Sequence, residues 1–432
     1  MKTDKASILS KDGVSYLIPF VLITSCFALW GFANDITNPM VKAFSKIFRM
    51  SATDGALVQV AFYGGYFAMA FPAAMFIRRY SYKAGVLLGL GMYAFGAFLF
   101  FPAKMTGEYY PFLIAYFILT CGLSFLETSC NPYILSMGTE ETATRRLNLA
   151  QSFNPIGSLA GMYVAMNFIQ ARLHPLDTAD RALLDEQEFE AIKDSDLSVL
   201  IAPYLAIGLV ILLMLILIRL VKMPKNGEEN HNINFVPTLK RIFTQSRYRE
   251  GVIAQFFYVG AQIMCWTFII QYGTHLFMSQ GMEEKAAEIL SQKYNIVAMV
   301  IFCISRFVCT FILRYLNAGR LLMILAVLGG VFTLGAVFLQ NIYGLYSLVA
   351  ISACMSLMFP TIYGIALKGL GEDAKFGAAG LIMAILGGSV LPPLQALVID
   401  MKTVGGFPAV NLSFLLPFIC FIVISWYGSY DS

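Results

Sequence analysis

Two carboxylates stand inside apolar stretches, where a membrane-embedded chain tolerates few. Asp35 interrupts Phe27-Ala-Leu-Trp-Gly-Phe-Ala-Asn-Asp35-Ile-Thr-Asn-Pro39, and Glu127 interrupts Leu119-Thr-Cys-Gly-Leu-Ser-Phe-Leu-Glu127-Thr-Ser-Cys-Asn-Pro132. A charge at bilayer depth costs roughly 3 kcal/mol on insertion scales, so an acid kept there marks a functional site by default. Burial disfavours the charged form of a carboxylate, so such a group can take a proton at one face and release it at the other. Amides and aromatics accompany the acids. Gln151 and Asn154 are three residues apart, and Gln255, Tyr258, Gln262 and Trp266 recur at spacings of three and four. On a helix those spacings share a face. A polyol needs that mixture of directional donors, acceptors and an apolar platform for its C–H face. Amides in such helices also tie neighbouring helices together, and that alternative stays open for each of them.

The elements that must hold these groups are long and apolar. Of 432 residues, 58% are hydrophobic and 13% charged, with mean hydropathy +0.70. Soluble domains carry about 25% charged residues, so a water-soluble fold is excluded. Stretches of about 20 apolar residues each span a bilayer. About twelve are expected, near 14–40, 55–77, 84–102, 110–136, 146–171, 198–221, 250–278, 290–313, 318–340, 342–371, 374–400 and 407–428. Residues 172–197 read as an acidic, solvated loop, and 222–249 as a basic linker almost midway along the chain. The expected organisation is all-α: a six-helix bundle over 1–221, a cytoplasmic linker over 222–249 and a second six-helix bundle over 250–432. Such parallel halves are a recurrent carrier design. Placing the N-terminus inside puts about 19 Lys and Arg on inner segments and about 9 on outer ones, so both termini are expected in the cytoplasm. The N-terminal residues run into an apolar stretch too long for a signal peptide, without a cleavage site, and the first helix is expected to stay.

Other chemistries find little support. Net charge is +4 with no long basic run, which argues against nucleic acid. The eight cysteines lie in apolar runs without metal spacing, and there are three histidines. They read as small buried hydrophobes, so no metal and no cofactor are expected. No Gly-x4-Gly-Lys-[Ser/Thr] phosphate loop is present, and neither the loops nor the linker offers a catalytic Asp/His pair, so an enzyme is not expected. Asp54 reads as a capping residue, Arg306 chiefly as a cation bonding backbone carbonyls, and the sequon at Asn411 as chance.

Twelve helices, a central basic linker and Arg78-Arg79-Tyr-Ser-Tyr-Lys83 resemble the major facilitator superfamily. Four stretches resemble its L-fucose–proton symporter family more closely: Gln59-Val-Ala-Phe-Tyr-Gly-Gly-Tyr-Phe67, Leu126-Glu-Thr-Ser-Cys-Asn-Pro-Tyr133, Arg146-Leu-Asn-Leu-Ala-Gln-Ser-Phe-Asn154 and Ala254-Gln-Phe-Phe-Tyr-Val-Gly-Ala-Gln-Ile-Met-Cys-Trp266. Ser81-Tyr-Lys-Ala-Gly85 joins them. The resemblance implies that Glu127 is the proton-coupling carboxylate of the fourth span, a position that the glucose/galactose branch fills with Gln. The family's first-span acid aligns with Asn38, so Asp35 stands one turn away from it. Asp35 either does the same work from there or is structural, leaving Glu127 as sole carrier.

The resulting expectation is proton-coupled import of a monosaccharide, most of all L-fucose, by alternating access across a bacterial inner membrane, by a monomer. Glu127 and Asp35 would couple protons, while Asn34, Asn38, Gln151, Asn154, Tyr258, Gln262 and Trp266 would contact sugar. Trp266 or Phe62 would offer a stacking surface. Glucose, galactose or a related sugar is the nearest rival substrate. Drug efflux by proton antiport and a non-transporting sugar sensor are more distant.

Overall fold

The structure is a computed structural model, and it describes residues 10–11, 14–37, 40–50, 57–176, 178–222 and 235–430. Helices dominate. In chain order they are α1 (Leu17–Thr37), α2 (Met40–Ile47), α3 (Leu57–Arg79), α4 (Tyr82–Thr106), α5 (Tyr110–Ser136), α6 (Ala143–Gln151), α7 (Asn154–Val164), α8 (Thr178–Ala182) and α9 (Glu186–Leu220). They continue as α10 (Phe235–Thr244), α11 (Ser246–Ser279), α12 (Glu284–Ile312), α13 (Ala318–Phe338), α14 (Ile342–Met355), α15 (Met358–Leu367), α16 (Ala374–Met383), α17 (Gly387–Ile399), α18 (Ala409–Leu412) and α19 (Leu415–Ser429). Among the described residues, eleven spans are long and apolar enough to cross a membrane. The remaining expected span, near 146–171, is split. α6 ends at Gln151 and α7 begins at Asn154, with Pro155 in the first turn of α7. Proline suits a first helical turn, where its missing N–H is no loss, and there it starts a new helix instead of extending the old one.

The chain forms two compact units, one built from residues 12–137 and 153–233, the other chiefly from 138–152 and 234–432. In the first unit, backbones approach closely at glycines. A Cβ on Gly122 of α5 would collide with the backbone of Tyr93 and Gly89 on α4, and one on Gly157 of α7 with the Ala28 carbonyl of α1. Small residues let membrane helices approach closely enough for dispersion to hold them, since lipid supplies no hydrophobic drive between helices. α5 is the most enclosed helix of this unit, with 78% of its apolar window buried.

Residues 172–197 are mostly exposed among those described, as their charge implies, but they are more helical than the loop expected. α8 and the first turns of α9 fill most of this segment, with Asp185 capping α9 through the Glu188 N–H. Within it Arg181 and Asp196 form a fully buried ion pair, Nη2 to Oδ2 2.5 Å, whose two charges neutralise each other locally.

In the second unit the core lies along α11, which packs on α12, α17 and α19. α14 and α15 are separated at Ser356 and Leu357. A short hairpin pairs Thr403 and Val404 with Phe407 and Pro408. Gly405 and Gly406 supply the positive φ of its two-residue turn, as such turns require. Asn411, buried on α18, donates to the Tyr272 hydroxyl and the Ala336 carbonyl. It is a structural tie, in keeping with the reading of its sequon as chance. All eight cysteines are buried and unbridged.

Candidate functional site

In the first unit the acids belong to different helices. Glu127 lies midway along α5, 5% exposed. Its Oε1 accepts a hydrogen bond from the Tyr66 hydroxyl of α3 at 2.9 Å. Tyr66 is gripped a second time, because its backbone carbonyl accepts from Ser124 Oγ of α5 at 3.0 Å. The Asn131 amide caps the Glu127 carbonyl one turn on, at 2.9 Å. A carboxylate so held is enclosed and keeps a protein donor on one oxygen.

Asp35 lies near the C-terminal end of α1, half-buried, and interacts electrostatically with Tyr63 of α3. Asn34 beside it is half-buried, and its Oδ1 is a buried acceptor with no partner among the described residues. Asn38 lies outside the described residues, as do Asp54 and the linker stretch 223–234. Asn154, at the start of α7, donates its amide to the Phe27 carbonyl of α1 at 3.1 Å. Phe62 is buried and packs against both Tyr63 and Tyr66, with ring centroids 5.7 Å apart in each case.

In the second unit α11 carries Tyr258, Gln262 and Trp266. The Tyr258 hydroxyl donates to the Met355 carbonyl at 3.2 Å, and Trp266 Nε1 donates to Ser352 Oγ at 3.2 Å. Both polar tips are therefore engaged by α14. Gln262 is half-buried and makes no hydrogen bond among the described residues. The Trp266 ring meets Phe302 edge-on at 4.8 Å. Gln151 closes α6, buried, and its backbone carbonyl accepts from Arg306 Nη1 at 3.0 Å. Arg306 also donates through Nε to the Ser356 carbonyl, and its guanidinium stands 4.5 Å from the Phe302 ring centroid. Both carbonyls belong to places where a helix stops, which leave backbone acceptors without an intrahelical donor. One arginine serves both, in keeping with its expected role toward backbone carbonyls.

Gln151 and Asn154, expected on one continuous helix, instead close α6 and open α7. Conversely, sequence reasoning missed Tyr63 and Tyr66 as partners of the acids. Their signal was Tyr-x-x-Tyr in an apolar helix, which gives two hydroxyls on one face.

Comparison with known proteins agrees with this arrangement. The family model of the Major Facilitator Superfamily matches residues 23–392. An L-fucose-proton symporter of Haemophilus influenzae is 52% identical over 98% of both chains. A glucose/galactose transporter of Brucella abortus is 30% identical over 96% of this chain and 94% of its own. The crystal structure of the Escherichia coli fucose:proton symporter superposes with a TM-score of 0.87 at 33% identity, covering 97% of this chain and all of that one. The chain therefore belongs to the major facilitator superfamily and, within it, to the L-fucose–proton symporter family, as a multi-pass membrane transporter and not an enzyme.

Proposed function

We propose that this protein imports L-fucose together with protons by alternating access. The observation that carries the reading is Glu127, an enclosed carboxylate held by the Tyr66 phenol within a helix of a membrane carrier. The greater identity to a relative named for L-fucose than to one named for glucose and galactose favours the 6-deoxy sugar.

External protonation of Glu127 lowers the charge within the first unit and permits the transition inward, and release to the cytoplasm resets the carrier. Asp35, a turn away from the position where the family's acid aligns, adds a second proton site. The first unit then serves as the proton-coupling half and the second as the sugar-contacting half. Asn34, through its unpaired amide oxygen, and Gln262, through its uncommitted amide, are the sugar contacts with free valence. Asn38, Gln151 and Asn154 complete the polar set. Trp266, half-buried with its N–H committed to α14, offers ring surface to the sugar's apolar face, and Tyr258, fully buried with its hydroxyl on the Met355 carbonyl, holds α11 to α14 behind it. The protein works as a monomer in a bacterial inner membrane, with both termini in the cytoplasm, the orientation that the Lys and Arg bias favours.

The test is labelled L-fucose uptake into proteoliposomes with and without an inward proton gradient, for wild type, Glu127→Gln and Asp35→Asn. Each coupled proton supports about tenfold accumulation per pH unit, because one unit is worth 1.36 kcal/mol. Wild type should accumulate fucose and Glu127→Gln should only equilibrate it, with counterflow retained. Uptake indifferent to the gradient in wild type would refute the coupling, and preference for glucose or galactose in competition would refute the substrate.

A further inference from the structure

α3 presents a phenol to Glu127. Tyr66 donates to this carboxylate of α5, and Tyr63 stands three residues earlier on the same helix. Residues three apart are neighbours on a helix surface, and Phe62 packs against both rings. Tyr93 of α4 donates to the Leu29 carbonyl of α1 at 3.2 Å, and the buried thiols Cys130 and Cys26 lie on α5 and α1, the helices that carry the acids.

We infer that Tyr66 is a positioning residue that couples Glu127 to α3, so that α3 responds to the protonation of that carboxylate. The inference rests on the reading of Glu127 as a proton carrier. An ionised carboxylate accepts hydrogen bonds only, whereas a protonated one also carries a donor. The Tyr66 hydroxyl is therefore held firmly while Glu127 is charged and loosened when it takes its proton. Because the Ser124 hydroxyl fastens the backbone of the same tyrosine to α5, a change at the carboxylate acts on α3 itself. No proton passes through the phenol in this scheme, since it keeps its own throughout.

The experiment is a double-mutant cycle in proteoliposomes, with gradient-driven accumulation and gradient-free counterflow measured for every variant. Tyr66→Phe keeps the ring and removes only the hydroxyl. A hydrogen bond to a charged group contributes about 1.5–3 kcal/mol, equivalent to a factor of about ten or more. Accumulation by Tyr66→Phe should fall by about tenfold, with counterflow within about twofold of wild type. Adding Tyr66→Phe to Glu127→Gln should change counterflow by less than about twofold, because the phenol acts through a charge already removed. A purely structural tyrosine would instead depress counterflow and accumulation together, and its effect would add to that of Glu127→Gln.

Either that additive pattern or wild-type accumulation by Tyr66→Phe would overturn the inference while leaving the transport reading intact. Should Glu127→Gln itself accumulate fucose normally, the proton-carrier reading fails first, and the inference with it.

Discussion

Replacing Arg181 by Met should destabilise the first unit by about 3–5 kcal/mol, the range found when one partner of a buried ion pair is removed. The structure says why the upper part of that range is reached. Asp196 is 1% exposed, and apart from Arg181 its carboxylate keeps the His174 backbone N–H at 2.8 Å. Without the guanidinium, a buried negative charge remains with one neutral donor. The opposite change, Asp196→Asn, should cost less, because Arg181 retains the Leu176 carbonyl at 3.1 Å and the His174 carbonyl at 3.2 Å. The double variant Arg181→Met/Asp196→Leu should lie near wild type, since exchanging a buried pair for apolar groups is often neutral. For a unit of this size, each kcal/mol shifts the melting midpoint by about 2–4 °C. Arg181→Met should therefore lower it by roughly 10 °C in a detergent-solubilised thermal melt followed by intrinsic fluorescence. The coupling energy of the cycle should exceed about 2 kcal/mol, as contacting residues in one network allow. A single variant within about 3 °C of wild type, or a double variant as unstable as Arg181→Met, would refute the argument that burial of this pair makes each charge depend on the other.

Three further outcomes are expected. Asn411→Ala removes the donor to Tyr272 and the Ala336 carbonyl in a buried site, and should cost about 2 kcal/mol, read as a lower melting midpoint with sugar specificity unchanged. Gly122→Leu should prevent folding, because even its Cβ would overlap the backbone of Tyr93 and Gly89 on α4. Size-exclusion chromatography of the solubilised protein would show aggregate in place of a monodisperse peak. Ser352→Ala frees the indole N–H of Trp266 and should weaken apparent L-fucose affinity severalfold in equilibrium binding, about 1 kcal/mol for a neutral hydrogen bond, if the ring's orientation serves the sugar.

The acids were legible because charge is conspicuous in an apolar run. Glu127 and Asp35 needed only composition to be noticed. Their phenolic partners were not, because tyrosine is at home in an apolar helix and Tyr66 lies 61 positions from the carboxylate it serves. The broken span had a visible sign in Pro155, yet residues 146–171 have enough apolar character to read as continuous. Only the structure shows that α6 ends at Gln151 and α7 begins at Asn154. In the segment 172–197 most charges lie in solvent as composition implies, but Arg181 and Asp196, 15 residues apart, neutralise each other and are buried. Composition registers the charges and is blind to their pairing.

The two units satisfy their polar groups in different ways, and the difference bears on what each can do. Along α5, Thr120 bonds the Tyr116 carbonyl, Ser129 the Phe125 carbonyl, and the Asn131 amide the carbonyl of Glu127, all within the helix. Such local bonds let a helix carry many polar side chains without depending on neighbours. Glu127 can then gain or lose a proton while most of the surrounding hydrogen bonds stay as they are, and the cross-helix contacts that change are those with Tyr66. Along α11 the pattern reverses: Tyr258 and Trp266 reach across to α14, so their rings are fixed in direction before any ligand arrives. Pre-set groups bind with less ordering cost than mobile ones. A switchable carboxylate suits proton exchange, and rigid aromatic surfaces suit a sugar. On the proposed function, this difference in hydrogen bonding suits the first unit to proton exchange and the second to sugar contact.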